Sequence, residues 1–369
     1  MSTVTPTLST EQRDLGEAVA DLLAKRSPES EVRRLMADDR GHDPAVWAEL
    51  AAMGIPGLVI PEEFGGAGAG AAELGVVSEQ MGAALLCAPF LSSVLTANLL
   101  VALGDSEENS DALPRIATGE LIATVAHAEP GHARPPAESA TTATANGASW
   151  RLSGAKTYVL DATAAQRFYV LAGTGIFAVD HDAPGLAVSP LTTVDQTRKQ
   201  GRLTLDQTPA RLVGSIDSGS AALDDALDRS SIALLGEQAG ASIRVTQMAA
   251  DYARTRFQFG RAIGSFQAIK HLCADMLLEA QSALSAARHV AAAFDAADTH
   301  RIADLALAQA FCSDAFVFTA ATNIQVHGGI GFTWEHPAHL YLRRARTDAQ
   351  IFGDPAWHRE RYIRLREAQ

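Results

Sequence analysis

The chain has 369 residues, 47% of them hydrophobic and 20% charged, which is the balance of an ordinary soluble globular protein long enough for two or three structural units. Its formal net charge of -13 argues against a nucleic-acid partner, because neutralising phosphates takes clustered Lys and Arg and no such cluster occurs. Three cysteines, Cys87, Cys273 and Cys312, are far apart and lack both CxxC spacing and nearby histidine pairs. They suggest neither a disulfide framework nor a metal site, and the expected compartment is the reducing cytoplasm.

In chain order, the opening MSTVTPTLSTEQRDLG lacks a basic start and an apolar core, so it does not read as a signal peptide. Residues 8 to about 118 read as helical, with Leu8, Leu15, Val19 and Leu22–Leu23 on a helical period. The glycine-rich FGGAGAGAAELG at 64–75 lacks the flanking strand of a dinucleotide fingerprint and reads as a mobile loop capping the next helix. Residues 84–104 are long and apolar, but Pro89, Asn98 and two serines interrupt them, so a buried helix pair is expected in place of a membrane span. From about 119 to 217, short runs rich in Val, Thr, Ile and aromatics, punctuated by Gly, Asp and Pro, predict a small antiparallel β domain. Four helical segments near 221–256, 265–296, 301–326 and 336–366 then predict an antiparallel bundle. The expected domains are 1–118 (helical), 119–220 (β) and 221–369 (helical bundle).

Two stretches of the last domain carry the functional reading. RTRFQFGRAIGSFQAIKHLCADM, 254–276, joins two long helices through a glycine-containing turn and brings Arg256, Gln258, Phe259 and Gln267 to one end of the bundle. An arginine there can hold a pyrophosphate in a forked geometry that lysine cannot match; by its residues alone the turn could equally be stapled by its aromatics. NIQVHGGIGFTWEHP, 323–337, ends a helix at Gly328 and Gly329, where a backbone or ligand can approach closely.

With this order and spacing the two stretches resemble the C-terminal signatures of the acyl-CoA dehydrogenase family, R-x-x-F-G with F-Q shortly after and Q-x-x-G-G-x-G much later. The resemblance implies a helical, β, helical fold and FAD as cofactor. It also implies that Arg256, Gln258, Phe259 and Gln267 reach the adenosine diphosphate half of a flavin bound mainly by a neighbouring subunit, with Gln325, Gly328 and Gly329 completing the cradle. The family abstracts an α-proton from an acyl-CoA with a glutamate while the β-hydrogen leaves as hydride to the flavin, and electrons pass on to an electron-transfer flavoprotein. The two usual homes of that glutamate align here with Ser230 and Gly353, so both usual bases are absent. Of the β-domain motif T-E-P-x-x-G-S-D only Glu129, Pro130 and Gly131 remain, and the usual tryptophan and threonine beside the flavin ring fall at Tyr158 and Leu160.

Glu237 is the remaining candidate base. It lies seven positions beyond Ser230, on nearly the same helical face and about 10 Å farther along the axis. Ala233, Gly240 and Ala241 on that face would leave a groove for a ligand, while Ile232, Leu235, Ala239 and Ile243 form the stripe expected to enter the bundle. Arg244, also seven residues on, could instead pair with Glu237 and leave it structural. A kept adenine half and an altered ring half resemble family members that work as heterotetramers of two unlike chains on bulky CoA thioesters, including steroid side chains; a homotetramer stays open. The chain is thus expected to be an acyl-CoA dehydrogenase with Glu237 as base, or a non-catalytic partner that lends structure and the adenine cradle to a base-carrying chain.

Overall fold

The computed structural model of the protein describes residues 7–131, 134, 139–147 and 149–367. Among the described residues six α-helices come first, with one 3-10 turn at Glu62–Phe64: α1 (Thr10–Arg26), α2 (Glu29–Met36), α3 (Pro44–Ala52), α4 (Ala71–Ala83), α5 (Phe90–Leu103) and α6 (Ser106–Ala117). Their starts follow from local chemistry. Ser9 and Gln12 form a reciprocal capping box at α1, and the carboxylates of Asp43 and Asp105 accept backbone N–H groups at the heads of α3 and α6. The first two N–H groups of α4 are held by Asp295, at 2.6 Å from Ala71 and 3.0 Å from Ala72. The apolar stretch 84–104 is one buried helix, α5, preceded by a turn, and not a pair: Leu85 adopts a left-handed φ of 49° and Pro89 stands at the N-cap of α5.

Seven strands follow: β1 (Ala123–Ala126), β2 (Thr142–Asn146), β3 (Ser149–Leu160), β4 (Arg167–Ala172), β5 (Gly175–Asp180), β6 (Leu186–Pro190) and β7 (Gln200–Val213). They form one sheet in the order β1-β4-β5-β7-β3-β2, with β6 also on β7. All pairs are antiparallel except β1 with β4, which is parallel. This departs from the all-antiparallel expectation, and β1 is accordingly buried on both faces, as parallel strands are. Leu152, Phe168, Val170, Phe177, Leu203 and Leu205 fill the core of this region.

The last part comprises α7 (Gly219–Thr255), a short hairpin of β8 (Phe257–Gln258) and β9 (Arg261–Ala262), then α8 (Gln267–Asp295), α9 (Arg301–His327), α10 (Gly329–Phe332), α11 (Ala338–Asp348) and α12 (Pro355–Glu367). The single fourth segment expected over 336–366 is two helices. Phe352 at φ 63° and Gly353 at φ 125° turn the chain between them, and Pro355 opens α12. One helix, α9, is long and apolar enough to cross a membrane by composition, yet 67% of its apolar window is buried within the protein.

By packing, the chain divides into two units. One comprises the residues up to Val32, Ala71–Leu86 and everything from Ser231; the other comprises Arg33–Gly70 and Cys87–Ser230. In the first, α4 lies against α1 and α8, and α9 against α8, α11 and α12. In the second, α5 covers β1 and contacts α6.

Candidate functional site

In the first unit, α4 and α7 approach until glycines touch backbone. A Cβ on Gly240 would stand 1.9 Å from the carbonyl oxygen of Glu79, one on Gly236 2.5 Å from that of Gly75, and one on Gly82 2.1 Å from that of Glu237. The small face that the sequence offers as a ligand groove is therefore filled by the backbone of α4. Residues 230 to 242 of α7 are buried all round, so the helix has no separate groove face and core face there.

Glu237 is buried in this packing. Its Oε1 accepts from Nη1 of Arg344 at 2.5 Å, with side-chain exposures of 10% and 2%. The Nη2 of Arg344 also reaches the carbonyl of Leu86 at 3.4 Å. Arg244 is not the partner: it lies against Tyr341, whose phenol is pushed up by burial and held back by the Arg244 charge. Arg344 shares the inner face of α11 with the buried Leu340, Tyr341, Ala345 and Asp348. That spacing was a partial signal: it puts a guanidinium on a mostly buried helix face, which calls for compensation without saying which carboxylate supplies it. A second pair of the same kind, Arg288 with Glu79, is bidentate at 2.9 and 2.8 Å and ties α8 to α4.

Neither usual base position holds an acid. Ser230 is fully buried, and its hydroxyl accepts from Nδ2 of Asn98 at 3.0 Å. Gly353 is buried in the turn between α11 and α12.

The residues expected to form the cradle are brought to one end of the helical unit and lie open. Tyr252 on the last turns of α7 stacks on His327 at the end of α9 with ring centroids 4.3 Å apart, and His336 packs on His327 at 4.3 Å. This stack, which the sequence did not indicate, joins the two signature stretches. Burial lowers the His327 imidazole below its ordinary value, against a smaller opposing effect of its contact with the Asn323 carbonyl. Beyond it, the β8–β9 hairpin is held by Phe266: the Phe259 ring meets it edge-on at 6.1 Å, and the Arg261 guanidinium sits 4.0 Å over it. Arg256, Gln258, Phe259, Gln267 and Gln325 are all exposed, Phe259 by 91%. Among the described residues Arg256 has no carboxylate partner. A Cβ on Gly328 or Gly329 would meet nothing within 4 Å. An uncompensated guanidinium, three amides and a bare backbone at a helix end fit a pyrophosphate and the polar edges of an adenosine.

In the second unit, Glu129 takes a structural role. Its carboxylate accepts from Nζ of the fully buried Lys156 at 2.7 Å, from the Ser139 hydroxyl and from the N–H groups of Ala140 and Thr141. Burial alone would raise this carboxyl, but these four donors outweigh it and hold Glu129 well below the usual carboxylate range. Burial, with help from Arg134 and Lys156, pushes His127 down to about 3. Of the HAEPGHARP stretch, residues 132, 133 and 135 lie outside the described residues. Tyr158 sits in a register shift of β3 at φ 54° and is 50% exposed, whereas Leu160 is buried and its carbonyl accepts from the Thr124 hydroxyl.

Two family models match the chain. The model for the acyl-CoA dehydrogenase N-terminal domain matches residues 9–120, and that for the C-terminal domain matches 217–364. The acyl-CoA dehydrogenase IpdE2 of Mycobacterium tuberculosis is 35% identical over 94% of each chain. Among solved structures, the ChsE4-ChsE5 complex from Mycobacterium tuberculosis superposes with a TM-score of 0.89 at 30% identity over the whole of both chains. A variant of a steroid ACAD, Tcur3481-Tcur3483, gives 0.87 at 30% identity over 98% of this chain and 100% of that one.

Proposed function

The chain belongs to the acyl-CoA dehydrogenase family, and from that premise we propose that it is one subunit of a FAD-dependent acyl-CoA dehydrogenase built from two unlike chains. The reaction is α,β-desaturation of a bulky acyl-CoA thioester, of the size of a steroid side chain, with electrons passing to an electron-transfer flavoprotein. This chain supplies structure and the adenosine diphosphate cradle; the α-proton base comes from the second chain. The observation that carries the assignment is the Glu237–Arg344 pair: with Ser230 and Gly353 at the usual base positions, Glu237 is the remaining candidate, and it is engaged by a buried guanidinium. Such a carboxylate stabilises the fold by compensating a buried charge, and taking up a substrate proton would remove that compensation.

FAD, when bound, supplies the acceptor for the β-hydrogen. Arg256 would hold its pyrophosphate, Gln258, Gln267 and Gln325 its polar edges, and Gly328 and Gly329 would let it approach the backbone. Phe259, exposed in the single chain, would be covered in the assembly. The heteromeric ChsE4-ChsE5 complex and the steroid ACAD among the relatives support the two-chain reading and the bulky substrate.

The test is flavin content and substrate bleaching, with and without a coexpressed base-carrying family member. The chain alone should hold well under one FAD per subunit and bleach little, and the pair should hold about one FAD between them. A homotetramer that is fully loaded and active by itself would overturn the proposal and return the base role to Glu237.

A further inference from the structure

We propose that a cavity in the second unit, walled by α3, the entry to β1 and the turn after β3, binds a small metabolite through its phosphate or carboxylate oxygens. The cavity measures about 460 Å³, within the range of pre-formed small-molecule sites.

In a protein of net charge -13, the cavity is lined by Arg40, His42 and His181 against a single acid, Glu120, which is already paired with Arg115 at 3.1 Å. Among the described residues the guanidinium of Arg40 has no carboxylate partner. His42 is only 7% exposed, and its one polar contact, Nδ1 to the Arg40 carbonyl, is long at 3.4 Å. Its Nε2 makes no hydrogen bond among the described residues. Gln166 spends its Oε1 on the Ile122 N–H at 2.8 Å, which leaves the amide nitrogen to donate. The lining thus offers side-chain donors with a single, already paired carboxylate, a composition that suits an oxyanion.

The loop that presents these groups is fixed before any ligand arrives. Oδ1 of Asp38 accepts from the N–H groups of Arg40 and Gly41 at 2.8 and 2.9 Å. The Lys199 stem lies so close over Gly41 that a Cβ there would be 2.2 Å from its Cγ, while its Nζ donates to the Met36 carbonyl. Asp43 is occupied by the head of α3 and by Arg34 at 2.7 Å. Trp47, pinned by its indole N–H to the Gly119 carbonyl at 3.1 Å, gives one apolar wall for the body of the ligand. Such rigidity lowers the ordering cost of binding.

The experiment is calorimetric titration of the full chain carrying Arg256→Ala, so that the flavin cradle does not take the probe, with pyrophosphate in one arm and citrate in the other. Saturable binding with Kd below about 1 mM is expected for at least one probe, and the tighter one identifies the oxyanion as phosphate or carboxylate. Arg40→Gln, at an exposed position, should weaken it at least about tenfold without changing thermal stability, and His181→Gln should weaken it in the same direction. Absence of binding by both probes up to about 10 mM, or binding that Arg40→Gln leaves unchanged, overturns the proposal.

Discussion

Glu237 and Arg344, separated by more than a hundred positions in sequence, meet as a buried ion pair at 2.5 Å and join α7 to α11. Breaking such a pair from one side leaves a charge without compensation. Glu237→Gln should therefore lower stability by about 3–5 kcal/mol in urea unfolding, whereas replacing both partners with methionine should recover much of that loss. In the assembled enzyme, flavin reduction per bound flavin should stay within about tenfold of wild type, because loss of a positioned base costs about two to four orders of magnitude. A stable Glu237→Gln protein with a rate at least a hundredfold lower, measured by stopped-flow bleaching, would make this residue the base.

Arg256 is the only cation assigned to the flavin cradle, and it is uncompensated among the described residues. Arg256→Ala should weaken FAD retention by more than about tenfold, on the order of 1.5–3 kcal/mol, with unchanged apo-protein stability. Flavin content after dialysis checks it, and full retention would remove Arg256 from the site.

Two glycine-to-alanine changes should act in opposite ways. In an ordinary helix the change stabilises by up to about 1 kcal/mol. At Gly240 the new methyl would stand 1.9 Å from the Glu79 carbonyl oxygen, so α4 and α7 must separate and a loss of about 1–3 kcal/mol is expected. At Gly329 the methyl meets open space, so stability should hold while FAD retention falls. Thermal melts paired with flavin content separate the two effects.

Acid should destabilise the β region in two stages. His127 has its folded value lowered to about 3 from 6.5, so between those values the unfolded chain binds more protons and stability falls as pH falls. Glu129, held below its ordinary 4.5, adds a second loss that begins only beneath that value. Denaturant midpoints followed from about pH 7 to about pH 4 should decline in wild type and decline less above pH 4.5 in His127→Phe. Equal slopes in the two proteins would show that His127 is accessible to protons in the folded state.

Much of this protein was legible along the chain because periodicity and turn chemistry are local. The helical, β, helical succession follows from the change of period near 119 and again near 221, and the R-x-x-F-G and Q-x-x-G-G stretches, through their resemblance to the family signatures, single out the residues proposed for the cradle. The hairpin and the Tyr252–His327 stack then show how α7 and α9 bring those stretches to one end of the unit. The parallel β1–β4 edge was hidden, since strand direction is set by pairing between segments far apart in the chain and not by alternation within either strand.

What Glu237 faces was decided by tertiary structure. Its helical face is rich in small residues, and smallness alone does not say whether a ligand or another backbone comes close. Here α4 fills the space with its own carbonyls against Gly236 and Gly240. The arginine that the sequence offered, Arg244, is near in the chain but points toward Tyr341, and the one that pairs is carried in by α11. A buried charge must be matched wherever the fold can deliver its partner, and that delivery depends on which helix faces pack together, a long-range property that residue spacing within one helix does not encode.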